Sequence, residues 1–129
     1  MAYRQDIGRL GEDLACVFLT ECGFAIRERN FRTKFGEIDV IASLKADVSR
    51  VSTDGEAEVT VFVEVKTRTS SSFGTPDEAF DRRKRRRFER AAQCYLSDHP
   101  EVCDWRIDFI GIMLDWNGRM IYREHIENV

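Results

Sequence analysis

The stretch from Val59 to Arg68, VTVFVEVKTR, constrains the fold more than any other part of this chain. Val59, Val61, Val63 and Val65 alternate with Thr60, Phe62, Glu64 and Lys66, the period of two that marks a strand whose faces differ. One face is continuous valine and needs another layer of structure to cover it. The other carries a carboxylate and an ammonium two residues apart on a strand otherwise apolar enough for a domain interior. Burying either charge alone is costly, so the two are either a compensated ion pair or chemistry.

The flanking segments supply the layers. From Gln5 to about Cys22 the apolar residues Ile7, Leu10, Leu14, Val17, Phe18 and Cys22 recur at three and four, predicting an amphipathic helix that closes near Gly23. Glu12 falls at the edge of its apolar arc beside small Gly8, and the ordinary reading of such a residue is a solvated acid. FAIRERNFR predicts a strand near a sheet edge, Thr33 to Gly36 a turn, and GEIDVIASL a second strand with Glu37, Asp39 and Ile41 on one face and Ile38, Val40 and Ala42 on the other. Lys45 to Glu58 reads as a polar excursion that returns the chain to the valine strand, antiparallel to the second. Pairing of those strands would bring Asp39 close to Glu64 and Lys66.

Thr75-Pro76-Asp77-Glu78 has the cap, proline and early acids of a helix start, and that helix should run to about Ser97 before His99-Pro100 stops it. Trp105 to Leu114 predicts an apolar strand. Asn117-Gly118 is the strongest hairpin signal in the chain, with Arg119 to Ile126 returning. One helix, three strands, one helix and two strands make a mixed β-sheet with helices packed on it, an α/β or α+β arrangement. A chain of 129 residues suits one domain, 1–129, with a single core and no need of disulfides.

Composition narrows the function classes. No apolar run approaches the ~18 residues that would span a bilayer, and the opening MAYRQDIGRLGEDL contains acids where a secretory signal has an apolar core. Cys16, Cys22, Cys94 and Cys103 lack CxxC spacing, and the histidines are His99 and His125. Reduced, mostly buried thiols in a cytoplasmic protein are expected, rather than a zinc site. The net charge of −3 does not suggest a polyanion partner, but its distribution does. Arg82, Arg83, Lys84, Arg85, Arg86, Arg87 and Arg90 place seven cations in nine positions, beyond what solubility needs, and phosphate is the usual partner of such density. Arg82, Lys84, Arg86 and Arg90 cannot all share one side of a helix. Arg27, Arg29, Arg32 and Lys34 would add a second positive patch.

Two carboxylates from neighbouring strands, with a lysine two residues beyond one of them, suit a particular chemistry. Asp39 and Glu64 offer hard oxygen ligands for Mg²⁺ or Mn²⁺, cations that keep several waters and take one or two protein carboxylates plus substrate phosphate. Lys66 is placed to orient or deprotonate an attacking water or to stabilise developing negative charge. Glu12 could complete the metal shell or hold a metal-bound water. Glu37, at the strand's start behind Gly36, more readily bonds backbone at the turn.

These residues carry a resemblance. The segments are Gly8-Arg9-Leu10-Gly11-Glu12 with Ala15, Arg29-Asn30-Phe31-Arg32, Gly36-Glu37-Ile38-Asp39-Val40-Ile41-Ala42, Phe62-Val63-Glu64-Val65-Lys66-Thr67-Arg68 and Phe73-Gly74-Thr75-Pro76. Lys84, Ala91-Ala92, Tyr95-Leu96, Arg106-Ile107-Asp108 and His125-Ile126-Glu127-Asn128 extend the match over nearly the whole chain. The sequence resembles the YraN-type predicted endonucleases, small bacterial proteins placed in the PD-(D/E)xK restriction-endonuclease-like superfamily and similar to archaeal Holliday-junction resolvases. The resemblance implies a central mixed sheet flanked by helices, Asp39 and Glu64 as metal ligands, Lys66 as the signature lysine and Glu12 as the helix-borne acid. Ile38 stands where the superfamily has proline, which is usual for this branch. Lys45 to Glu58 is longer and more acidic than the short turn expected there.

The function expected is a Mg²⁺- or Mn²⁺-dependent endonuclease that hydrolyses phosphodiester bonds in DNA rather than RNA, with branched and single-stranded substrates both open. Arg68, Arg83, Lys84 and Arg87 would contact nucleic acid, no membrane is involved, and a homodimer is among the assemblies allowed. The alternative class is a non-catalytic nucleic-acid-binding accessory protein that retains the nuclease fold.

Overall fold

A computed structural model of the chain describes residues 2–45, 58–69 and 81–129. Helix α1 spans Ala2–Glu21, followed by strands β1 (Ala25–Thr33), β2 (Gly36–Lys45) and β3 (Glu58–Thr69), helix α2 (Arg82–Asp98), and strands β4 (Asp104–Leu114) and β5 (Met120–Ile126). The five strands form one sheet in sequential order, β1-β2-β3-β4-β5. β3 and β4 are parallel and the other pairings antiparallel, because α2 lies in the connection that returns the chain to the same end of the sheet.

Local chemistry ends each element. At the close of α1, Gly23 takes φ +94°, its N–H donates to the Thr20 carbonyl at 3.0 Å and the Phe24 N–H donates to the Leu19 carbonyl at 2.9 Å. This pair of bonds satisfies carbonyls the helix would otherwise orphan, in a backbone conformation that glycine enters at little cost. Between β1 and β2 the Thr33 hydroxyl accepts from the Phe35 and Gly36 N–H groups. Between β4 and β5, Asp115 Oδ1 accepts from the Asn117 and Arg119 N–H groups at 2.8 and 2.9 Å, as the Asn-Gly signal predicts.

Each face of the sheet carries one helix. The valine face of β3 packs with Val40 and Ala42 of β2, Ile110 and Ile112 of β4, and Ala15 and Leu19 of α1. On the opposite face Phe62, Ile38, Ile41 and Ile107 meet Phe88, Ala91, Ala92 and Tyr95 of α2. α1 lies close enough to β3 that a Cβ on Gly11 would collide with the Thr67 side chain, so glycine sets that approach. The fully buried Asp108 ties the far side together. It accepts two hydrogen bonds from Arg106 at 3.0 and 3.1 Å, one from the Asn128 N–H at 3.0 Å, and lies 2.8 Å from His125 Nε2. Burial alone would raise its pKa, but the hydrogen bonds from His125, Arg106 and Asn128 outweigh it and hold the carboxyl below its ordinary value.

Three expectations are corrected. α2 starts at Arg82 behind Asp81, whose carboxylate accepts the Lys84 N–H at 3.0 Å, so Asp81 and not Thr75 caps this helix; the Thr75-Pro76 signal itself lies outside the described residues. Cys22 and Cys103, which fall just outside α1 and β4, are exposed, and Cys16 and Cys94, inside α1 and α2, are only half-buried. The third is the alternation of β2, which breaks between Ile38 and Val40. Of the Lys45 to Glu58 excursion, Lys45 and Glu58 pair across β2 and β3, and residues 46–57 lie outside the described residues. Among the described residues no helix is long and apolar enough to cross a membrane.

Candidate active site

The site forms where the sheet's alternation breaks. Ile38 packs with Ile41 on the α2 face while Val40 and Ala42 face α1, so the strict alternation expected of β2 slips between residues 38 and 40. β1 slips at the same level: Arg29 reaches Asp13 of α1 at 2.8 Å, whereas Phe31, two residues on, stacks edge-on against Tyr95 of α2. Between them sits Asn30, at φ +53°, a left-handed conformation that a non-glycine residue adopts at a cost and that asparagine tolerates better than most. In register Arg29 pairs with Val40 and Phe31 with Ile38, which puts Asn30 across from Asp39. The β2–β3 ladder is paired from Lys45↔Glu58 to Val40↔Val63, so the next position across brings Asp39 level with Glu64. One row of three strands thus carries Asn30, Asp39 and Glu64.

Asp39 bridges the gap. Its Oδ2 accepts the Val65 N–H at 2.8 Å, a side chain taking the backbone donor that a regular ladder would have paired. Its carboxyl also shares a hydrogen bond with that of Glu64. Burial pushes both groups above the ordinary carboxylate range, Glu64 further than Asp39, with the Asp39 charge the next cause at Glu64 and the Val65 N–H partly restraining Asp39. Two such groups in contact retain a proton between them at neutral pH. Among the described residues no ion pair joins Glu64 to Lys66, so of the two readings of this strand the simple ion pair is set aside. Lys66 is instead held below the usual lysine range, by burial first and then by the charges of Lys84 and Arg68.

In front of the row lies a cleft of about 740 Å³ lined by Asp39, Lys66 and Arg68 together with Glu12, Asn30 and Glu37. Glu64 is not in its wall and meets it through Asp39. Glu12 is no solvated acid: burial, with Asp39 next, raises its pKa to about 7 against the opposing charge of Arg29. Glu37 is not spent on the turn either, since Thr33 supplies the bonds there. With its amide nitrogen turned toward the acids, as their acceptor-only oxygens require, Asn30 donates to Glu12 Oε1 at 2.9 Å and to Glu37 Oε1 at 2.8 Å. Asn30 was not among the expected site residues; the available signal was an asparagine inside a strand pattern, a residue depleted there. Among the described residues no three acid, histidine or cysteine side chains form a ready-made cation cage.

The cations divide into two sets. Arg82, Arg83, Arg86, Arg87 and Arg90 line a groove of about 390 Å³ along α2. Lys84 faces elsewhere, its charge acting on Glu64 and Lys66, in keeping with the helical period. Arg68 sits in the cleft wall with its Nε buried and without an acceptor among the described residues. The second patch expected at Arg27, Arg29, Arg32 and Lys34 is largely compensated: Arg27 pairs with Glu58, Arg29 with Asp13 and, more loosely, Arg32 with Glu37. Glu58 and Asp13 are distant in sequence from their partners, so charge density alone could not reveal those two pairs.

A five-stranded mixed sheet between two helices, opened at the β2–β3 junction around half-buried carboxyls, is an α/β domain consistent with the nuclease-like fold that the resemblance implies. The family model described as "Uncharacterised protein family UPF0102" matches residues 11–112, and the chain belongs to that family, in agreement with the YraN-type resemblance. A UPF0102 protein of Dictyoglomus thermophilum is 36% identical over 125 residues, covering 96% of both chains. One from Chloroherpeton thalassium is 37% identical over 123 residues, 95% of this chain and 86% of its own. One from Mycobacterium sp. strain KMS reaches 43% over 114 residues, 86% of this chain and 76% of its own.

Proposed function

We propose that this protein is a divalent-metal-dependent endonuclease that hydrolyses phosphodiester bonds in DNA. The observation that carries the reading is the half-buried Asp39–Glu64 carboxyl pair beside Lys66 at the break between β2 and β3. Two half-buried carboxyls that share a hydrogen bond are short of positive charge, and the donor set of two hard oxygens with an open cleft before it suits Mg²⁺ or Mn²⁺. Asp39 and Glu64 would hold the cation, which when bound polarises a phosphoryl oxygen and acidifies water.

The remaining roles fall to the chain's own groups. Lys66, its ammonium weakened by burial, can exchange a proton with the attacking water or offset charge building on the phosphate. Arg68 brings a buried donor with no acceptor among the described residues, which a phosphate oxygen would satisfy. The α2 groove, with Arg83 and Arg87 in its wall, grips backbone phosphates outside the cleft, and Lys84 stands between groove and carboxyls. Contacts of this kind position nucleic acid without reading bases, which favours selection by DNA structure, branched or single-stranded, over sequence.

The test is a panel of single-stranded, duplex, flap and four-way-junction DNA, with RNA counterparts, incubated with Mn²⁺. Cleavage should vanish in Glu64→Ala and Lys66→Ala while both remain folded. Cleavage by either variant at the rate of the unaltered protein would refute the assignment. Salt-dependent DNA binding with no cleavage of any substrate would replace it with the accessory role.

A further inference from the structure

Of the three residues in the row, Asn30 has no role in the chemistry above, yet the backbone is distorted to seat it. Its φ of +53° reverses the facing of β1, so that an amide on a strand is directed toward an acid on α1. The nitrogen then lies 2.9 Å from Glu12 Oε1 and 2.8 Å from Glu37 Oε1, a separate carboxylate from each of two different elements. Among the described residues neither acid makes an equally short ion pair: the Arg32–Glu37 approach is 3.9 Å, and Arg29 spends its 2.8 Å contact on Asp13. Two acids on a cleft wall repel one another, and the two protons of one NH₂ group satisfy an oxygen on each without adding charge.

We propose that Asn30 is a positioning residue: its side-chain amide cross-links Glu12 of α1 to Glu37 of β2 and holds the helix-borne acid in register with the Asp39–Glu64 pair. The inference rests on the endonuclease reading for its catalytic consequence, but the cross-link stands on geometry alone. It also accounts for the asparagine itself. Glycine would take the same backbone conformation more easily and could not make the bridge, whereas aspartate would tolerate the conformation and set a third carboxylate against the other two.

Two measurements decide it. In ¹H–¹⁵N spectra of the unaltered protein the two Asn30 side-chain protons should be well dispersed, and both Glu12→Ala and Glu37→Ala should shift them. Side-chain signals that resemble a solvated asparagine, or that ignore both substitutions, would overturn the cross-link. In the cleavage assay Asn30→Gly should keep thermal stability and KM for DNA, because the fold and the α2 groove are untouched, while kcat falls about 10- to 100-fold, the usual penalty for losing a partner that orients a site's ligands. A kcat equal to that of the unaltered protein would overturn the positioning role. Absence of cleavage by the unaltered protein would overturn the endonuclease reading and the catalytic half of this one together, and the spectra would still decide whether the bridge exists.

Discussion

Replacing Glu64 with glutamine should destroy cleavage and stabilise the fold. Glu64 is pushed up to about 9, by burial first and by Asp39 second, whereas in the unfolded chain it titrates near 4.3. Between those values the folded protein holds a proton that the unfolded chain has released, so stability falls as pH rises through the window, by about 1.4 kcal/mol per pH unit. From about pH 4.3 to pH 7 the bound is roughly 3–4 kcal/mol, part of which belongs to Asp39 because the pair titrates together. Glu64→Gln keeps the shape and removes the titration, so at pH 7 in EDTA it should gain about 1–3 kcal/mol, or roughly 3–10 °C in Tm. Melting curves of both proteins from about pH 4 to pH 8 check this, and the gain should shrink toward zero at the acid end. A variant no more stable than its parent at neutral pH, or a gain that ignores pH, would refute the account of the carboxyl pair.

Gly11→Ala should lose about 1–3 kcal/mol in chemical denaturation, because the added methyl meets the Thr67 side chain, and Thr67→Ala in the same chain should restore part of the loss. Asp108→Ala should cost about 3–5 kcal/mol, since it strands Arg106, His125 and the Asn128 N–H around a buried hole. Because the Asp108 pKa is depressed in the fold, its contribution is present above the unfolded carboxylate value and lost as pH falls through the folded one, so the stability gap to Asp108→Asn should narrow in acid. Arg83→Ala with Arg87→Ala should weaken DNA binding uniformly across sequences and flatten its dependence on log salt by about two units, measured by fluorescence anisotropy.

Much of this was legible because it is periodic or local. The valine alternation placed β3 between two layers, Asn117-Gly118 placed the last hairpin, and facing polar residues on β2 and β3 brought Asp39 to Glu64. The slip in β1 and β2 was not legible, since it reverses a period over a single row and depends on one residue's φ. Glu12 was ambiguous for a related reason: whether an acid at the border of a helix is solvated depends on what the next layer presents, here Asn30 and Asp39. The true start of α2 was masked by two competing caps, Thr75 and Asp81, with similar chemistry.

Helix α2 begins with Arg82, Arg83, Lys84 and Arg85, cations crowded at the end of the peptide dipole that already carries positive charge. Of the four, Arg85 has an intrahelical acid partner, Glu89, at 3.2 Å. The Asp81 carboxylate at the cap offsets part of this charge, and an anion bound there would offset more, so occupancy and folding stability are linked. Heat resistance should rise with polyanion concentration and fall again with added salt, which makes a melting curve a binding assay.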